Sequence, residues 1–477
     1  MDARNLRRDL DVDRDRDRDR DRASVVDRIT PNDLTTLVTD RGPAPMNIGA
    51  VLVVEDGASL DPSAVQVALE RRSEAVPRLR RRLRSAPAGC GRPYWADDEQ
   101  FDITRHLSVV RVADDAALWP EAAAQVCRRL PRDRPLWRAC WCTGLDRGRA
   151  ALVIVAHHVL ADGLGGVAVL GALTDGLPPE RARELGTAVA PGSHDEAAVS
   201  CHSQLPSRRE LAADAWRARL QALTTLKTRA GVARAGARDL GVGSGAARPR
   251  LSPRTPFNRP TGPSRRICTI EAPLSDVLAA GHRLGATLND IVLTAVAHAL
   301  ARDAGVRGRP IESLVVSVPF SGRATTTTEH LGNETGVVPF RIPVDVPAAA
   351  TLREVAARSR AQRNRPRAAS AAPLGLAFRV LGRLGIFRWF VDHQRLVNTF
   401  VTNVRGPSEP WRFCGHAVSR VVPVAVTPGN TGVTFDVLSY AGTLGITVVS
   451  DPDVVPIPER LAAQVTEELI ALVSSVG

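Results

Sequence analysis

Lysine is all but missing from this chain of 477 residues, Lys227 being the only one, and aromatic residues make up just 4% of it. The formal net charge of +12 is therefore carried by arginine. Such lopsided usage is what a codon bias leaves, and no basic stripe with interleaved stacking aromatics accompanies it, so nucleic acid is not an expected partner. The phosphates of a small ligand or an anionic membrane surface would use the same charge. The seven cysteines (Cys90, Cys127, Cys140, Cys142, Cys201, Cys268 and Cys414) contain no CxxC pair, and free thiols in a reducing cytoplasm are expected. The first residues alternate Arg and Asp where a secretory leader needs an apolar stretch, and no uninterrupted apolar run approaches the roughly 20 residues that cross a bilayer. The expected location is cytoplasmic, at most peripheral on the inner membrane face.

What is present is 44% hydrophobic residues in a chain too long for one ordinary core. Residues 1–23 hold an Asp-Arg repeat that can bury no face and reads as a solvated, disordered tail. Residues 24–177 mix strands and helices: a capped helix in PNDLTTLVTDRG, a strand in MNIGAVLVVE, and a helix from Pro62 to Arg72. Residues 178–264 shift to Pro, Ala, Arg, Gly and Ser around one helix that begins at Arg208, too long for an ordinary loop and so a crossover between domains. Residues 265–477 alternate again, with strands in RRICTIEAPL, SLVVSVPFSGR and GVVPFRIPVD, a helix in NDIVLTAVAHALARDAG, and a closing helix from Pro458 to Ser474. The fold class is α/β.

The chemistry concentrates in ALVIVAHHVLADGLGG, residues 151–166. Ala151 to Ala156 is a short apolar run of the kind that forms a strand covered on both faces, and a Gly-rich turn follows it. Side chains alternate along a strand, so His157 and His158 point to opposite faces. One can be held in the fold while the other looks into a cavity, and Asp162-Gly163 supplies the turn that ends the strand. A satisfied core histidine pair is the bland alternative. A metal site of His157, His158 and Asp162 is disfavoured because adjacent strand histidines diverge and zinc needs three or four convergent ligands, so no metal is expected.

With HHxxxDG in place, the chain resembles the bacterial wax ester synthase/acyl-CoA:diacylglycerol acyltransferase family from about Ser24 onward. The resemblance rests on PMNIGAVL, RPLW at Arg134 to Trp137, TPFNRPTGPSRR, GATLNDIVLTAVAHAL, VSVPFSGR, LGNETG and VTNVRGP, in that order. It implies two chloramphenicol-acetyltransferase-like domains forming a pseudo-dimer around a central tunnel, with acyl-CoA as co-substrate and no bound cofactor. It also implies that a lipid alcohol or diacylglycerol is the acceptor. Two departures stand out. Asn47 replaces a frequent histidine, and Arg138 replaces an acidic residue after PLW; both are expected to bear on acceptor choice rather than chemistry.

Acyl transfer from a thioester to an alcohol needs a base, because the hydroxyl is almost fully protonated at neutral pH. The family pattern gives this role to His158, while periodicity says only that one of the pair faces the cavity. The resemblance makes Asp162 a structural partner, with Arg323 as its candidate ion pair, and Gly163 completes the motif. Asn289-Asp290 opens a helix, where Asn289 as N-cap and Asp290 at the positive dipole end is the plain reading and a substrate-positioning pair is the functional one. Asn403 before the Gly406-Pro407 turn carries the same two readings. RLRRRLRS, Arg78 to Ser85, reads as a solvated helix face or a phosphate-binding cluster. GLAFRVLGRLGIFRWFVDH, Gly375 to His393, reads as an interfacial helix or as packing between domains. A carrier-protein-dependent acyltransferase and a non-catalytic lipid-binding protein on the same fold are the rivals.

Overall fold

A computed structural model describes residues 26–175, 205–224, 251–321, 335–363, 378, 381–382, 384–425 and 429–474. In the first half, helix α1 (Pro31–Thr39) starts from a capping box in which Thr30 and Asp33 satisfy each other's backbone N–H groups. Strand β1 (Asn47–Val54) and helix α2 (Pro62–Ser73) follow, the latter capped by Asp61 on Ser63 N. A short turn of helix, α3 (Pro77–Arg80), leads into β2 (Arg81–Arg84) and β3 (Tyr94–Asp97). Then come β4 (Leu107–Arg111), α4 (Asp115–Cys127), β5 (Trp137–Thr143), β6 (Ala150–His157) and α5 (Gly163–Leu173).

RLRRRLRS is therefore helical only at Arg78–Arg80 and a strand over Arg81–Arg84. Arg81–Arg84 pairs antiparallel with Tyr94–Asp97, and its arginines meet acids: Arg81 on Asp27 and Asp97, Arg82 facing Asp98, with Arg78 on Asp27 and over the Trp95 ring. With those partners engaged, the cluster no longer reads as a free phosphate site. Crossover helix α6 (Arg208–Thr224) packs on the first half, where Arg28 binds Asp214 at 2.5 Å and Leu211 joins Val26, Cys90 and Tyr94.

The second half runs β7 (Arg266–Pro273), α7 (Leu274–Leu284), α8 (Leu288–Val306), β8 (Ser313–Ser321), β9 (Thr335–Pro343), α9 (Ala348–Arg363) and α10 (Phe387–His393). It ends with β10 (Thr399–Arg405), β11 (Arg412–Phe413), β12 (His416–Ala425), β13 (Val433–Tyr440), β14 (Thr443–Ser450) and α11 (Pro458–Ser474). Its sheet has the order β7-β14-β13-β10-β8-β9, and α8 is buried against one face among Val433, Phe435, Val437 and Val401. Among the described residues no single helix is long and apolar enough to cross a membrane; α7 and α8 together are bent by 96°.

The other sheet has the order β11-β12-β1-β6-β5-β4, so strands from the end of the chain complete the sheet of its beginning. Val51 stands opposite Val422 on one side and Val153 on the other. The boundary at residue 265 thus divides the sequence but not the sheets. Tyr440 fastens the exchange: its hydroxyl accepts from Trp411 N at 2.7 Å and donates to Val418 O at 2.8 Å.

Candidate active site

Strand β6 lies inside this first sheet, and its apolar run is covered on both faces. Leu152 and Ile154 enter the core with Trp137, Trp141 and Leu438, whereas Ala151, Val153 and Val155 enter the core beneath α4. His157 continues the second set. It is 4% exposed, and both ring nitrogens are engaged: Nδ1 accepts from Val159 N at 3.1 Å, and Nε2 faces Asp40 Oδ2 at 3.4 Å. Accepting at Nδ1 leaves the proton on Nε2, which donates to Asp40. His157 is a built-in part of the fold.

Asp40, which the sequence placed only at the end of the first helix, organises this corner. Its Oδ1 accepts from Met46 N at 3.0 Å, and Arg129 and Arg132 stand at 3.3 and 3.2 Å. Burial pulls its pKa up, but the His157 contact, the Met46 N–H and Arg129 outweigh that and hold the carboxyl at about 2. Met46 in turn accepts the backbone N–H of His158 at 2.9 Å. One carboxylate therefore fixes His157 through its ring and His158 through the adjoining backbone.

His158 is half-buried, unlike its neighbour, and burial pushes its imidazole below the ordinary 6.5, with the nearby His157 adding to the effect. A neutral ring at pH 7 can accept a proton. Asp162 is buried and caps α5, its Oδ1 accepting from Gly165 N at 2.9 Å. Arg323 lies outside the described residues. Gly163 sits where a Cβ would come within 2.9 Å of Val404 Cγ2, so the motif's glycine permits the close approach of α5 to β10.

That contact brings the two halves of the motif set together. Beside Val404, Asn403 Nδ2 donates to Asn289 Oδ1 at 3.3 Å, uniting two of the residues singled out in the sequence. Asp290 goes elsewhere. The N-cap of α8 is Thr287, not Asn289, and Asp290 closes a capping box on it through Oδ2 while its Oδ1 accepts from Ser359 at 2.6 Å. Both oxygens are thus taken by protein, and the residue is architectural.

Asn47 stands opposite His157 on the neighbouring strand and Arg138 opposite Val155, so both lie on the His157 face of the sheet. Asn47 Nδ2 donates to Val126 O and Arg128 O at 2.9 and 3.1 Å, and Arg138 Nη2 donates to Gln125 O and Arg128 O. Both departures from the family pattern therefore tie down the carbonyl end of α4, a favourable place for a cation. Trp137 of RPLW donates to Leu79 O at 2.7 Å and stacks on His106 at 4.6 Å, which fixes the start of β5. Among the described residues no three His, Cys, Asp or Glu side chains are grouped to hold a metal ion.

Two interlocked α/β halves, with a histidine pair ending a strand where they meet, define a two-domain acyltransferase. The fold matches a wax ester synthase/diacylglycerol acyltransferase from Marinobacter aquaeolei VT8, with a TM-score of 0.63 at 20% identity over 94% of this chain and 98% of that one. It also matches the starter condensation domain of rhizomide synthetase, with a TM-score of 0.58 at 16% identity over 94% of each chain. Residues 29–292 match the wax ester synthase/diacylglycerol acyltransferase catalytic domain and residues 331–473 the C-terminal domain of the same family. The chain belongs to that family, and it is an acyl-CoA-dependent O-acyltransferase. A probable diacylglycerol O-acyltransferase, tgs1, of Mycobacterium tuberculosis is 29% identical over 441 residues, covering 90% of this chain and 91% of that protein.

Proposed function

We propose that the protein moves a long-chain acyl group from coenzyme A to the hydroxyl of diacylglycerol or of a long-chain alcohol, with His158 as general base. The observation that carries this reading is the unequal treatment of the two histidines. His157 has both nitrogens committed to the fold, whereas His158 keeps accessible surface and a ring that burial holds neutral. As the acceptor oxygen attacks the thioester carbonyl, His158 takes its proton and a C–O bond forms. Collapse of the tetrahedral species breaks the C–S bond, and the departing thiolate receives that proton. No acyl-enzyme is needed.

The Asn289–Asn403 amide pair, one residue from the Gly163–Val404 contact, supplies hydrogen-bonding groups for substrate near the seam of the halves. Peripheral membrane contact is part of the same reading, since the acceptor is a lipid. Its support is the exposed group Leu384, Ile386 and Trp389 around Arg388, with Trp389 67% exposed. The test is CoA release by purified protein given acyl-CoA with diacylglycerol or a long-chain alcohol. His158→Ala should remain folded and lose roughly 10²- to 10⁴-fold in kcat; parent-level turnover by that variant would overturn the assignment.

A further inference from the structure

Strand β12 ends at Ala425, which stands opposite Ile48; Ile48 stands opposite Ala156, two residues before His158. With strands about 4.8 Å apart, Ala425 lies about 10 Å from Ala156. The Ala425 N–H donates to Asp436 Oδ2 at 2.8 Å, and Thr402 Oγ1 of β10 donates to Asp436 Oδ1 at 3.0 Å. Thr402 is two residues before Val404, the residue that Gly163 approaches. Asp436 itself is 2% exposed. One buried carboxyl thus touches both strands that lead to the histidine turn, β12 by way of β1 and β10 by way of Val404.

We infer that Asp436 is a positioning residue for acyl transfer, its carboxyl clamping the end of β12 to β10 and so setting the separation between the His158 turn and the β10 strand facing it. The inference rests on His158 being the base. The surroundings suit an uncharged clamp. Across the sheet, Asp436 stands level with Thr402, Thr447 and Thr269. The charged or titratable groups on the packed strands are Arg405 of β10, His416 and Arg420 of β12, and Arg266, Cys268 and Glu271 of β7; Arg420 pairs with Glu271 and donates to Thr269 at 2.7 Å. Among the described residues no counter-ion pairs with Asp436. Burial, opposed by the hydrogen bonds from Ala425 and Thr402, pushes its carboxyl up to about 7. Ionisation there places an unpaired charge at the seam, relieved only by admitting water between β12 and β13.

The experiment is CoA release between pH 5.5 and 9 by the full chain and its variants, with circular dichroism as the fold check. The parent kcat should fall as pH rises past about 7. Asp436→Asn should stay within about threefold of the parent at pH 6 and show no such fall. Thr402→Val removes a hydrogen bond that favours the ionised form, so the fall should move to higher pH. Asp436→Leu should lose at least about tenfold in kcat with KM for acyl-CoA changed less than about twofold. An Asp436→Asn profile that superimposes on the parent's, or parent-level kcat in Asp436→Leu, overturns the inference. Should Asp436→Leu not fold, an unmoved Thr402→Val profile overturns it alone. Turnover that ignores His158→Ala would instead sink the functional reading, whereas His158-dependent turnover with Asp436 variants that match the parent at every pH removes only the clamp.

Discussion

Asp40 in the first half and Asp436 in the second are both buried carboxyls beside strands that lead to His158, and their surroundings drive them in opposite directions. Around Asp40 stand His157, Arg129, Arg132 and a backbone N–H, and the carboxyl is held at about 2. Around Asp436 stand a hydroxyl and a backbone N–H with no cation among the described residues, and the carboxyl rises to about 7. Depth alone does not decide ionisation; the partners do. The first half holds its histidines with a charge, and the second half meets them with neutral hydrogen bonds.

The contrast can be broken from either side by measuring unfolding free energy against pH. Asp436 binds its proton more tightly folded than unfolded, so its stabilisation is complete below pH 3.8 and is lost as pH rises through about 7. Asp436→Asn should therefore flatten the decline between pH 4 and 7, a difference on the order of 4 kcal/mol. Asp40 runs the other way: its stabilisation is complete above pH 3.8 and drains as pH falls toward 2. Asp40→Asn should remove on the order of 2 kcal/mol at neutral pH and flatten the acid limb; equal pH dependence in parent and variant would show that the charge is not what holds the corner. A smaller effect should follow from Arg138→Leu, which takes its donor from Gln125 O and leaves Arg128 O to Asn47 alone, at about 1–2 kcal/mol in urea unfolding. Kinetically it should leave the choice between diacylglycerol and alcohol unchanged, against the expectation from the family pattern. Smallest in stability is Trp389→Ser, within about 0.5 kcal/mol of the parent. Its readout is flotation with anionic vesicles at low salt, where binding should drop; unchanged flotation would remove α10 from the membrane reading.

Much of the architecture was legible because it is local. The apolar run before His157 formed a strand covered on both faces, and Pro458–Ser474 is a helix as its pattern indicated; the strand ends at His157, so His158 opens the turn rather than continuing the alternation. The cap of α8 was legible only to within two residues: Thr287, not Asn289, is the N-cap, and it closes a reciprocal cap with Asp290. Arg81–Arg84 misled because an arginine-rich run suggests a solvated face until the acids that pair with it, Asp27, Asp97 and Asp98, are brought in by other segments. Asp40 and Asp436 were illegible for the same reason. Neither belongs to a motif, and each acquires its role from groups far away in the chain, which no local period encodes.

The pairing of Val51 with Val422 also has a consequence for the order of synthesis. When the HHxxxDG segment leaves the ribosome, the flank of β1 that β12 will cover is still an open edge, and it stays open until nearly nine-tenths of the chain has been made. An uncovered strand edge invites pairing with other chains. The nascent first half must therefore be shielded or kept loose during translation, and a chain stopped near residue 265 should accumulate as aggregate rather than as an independent domain.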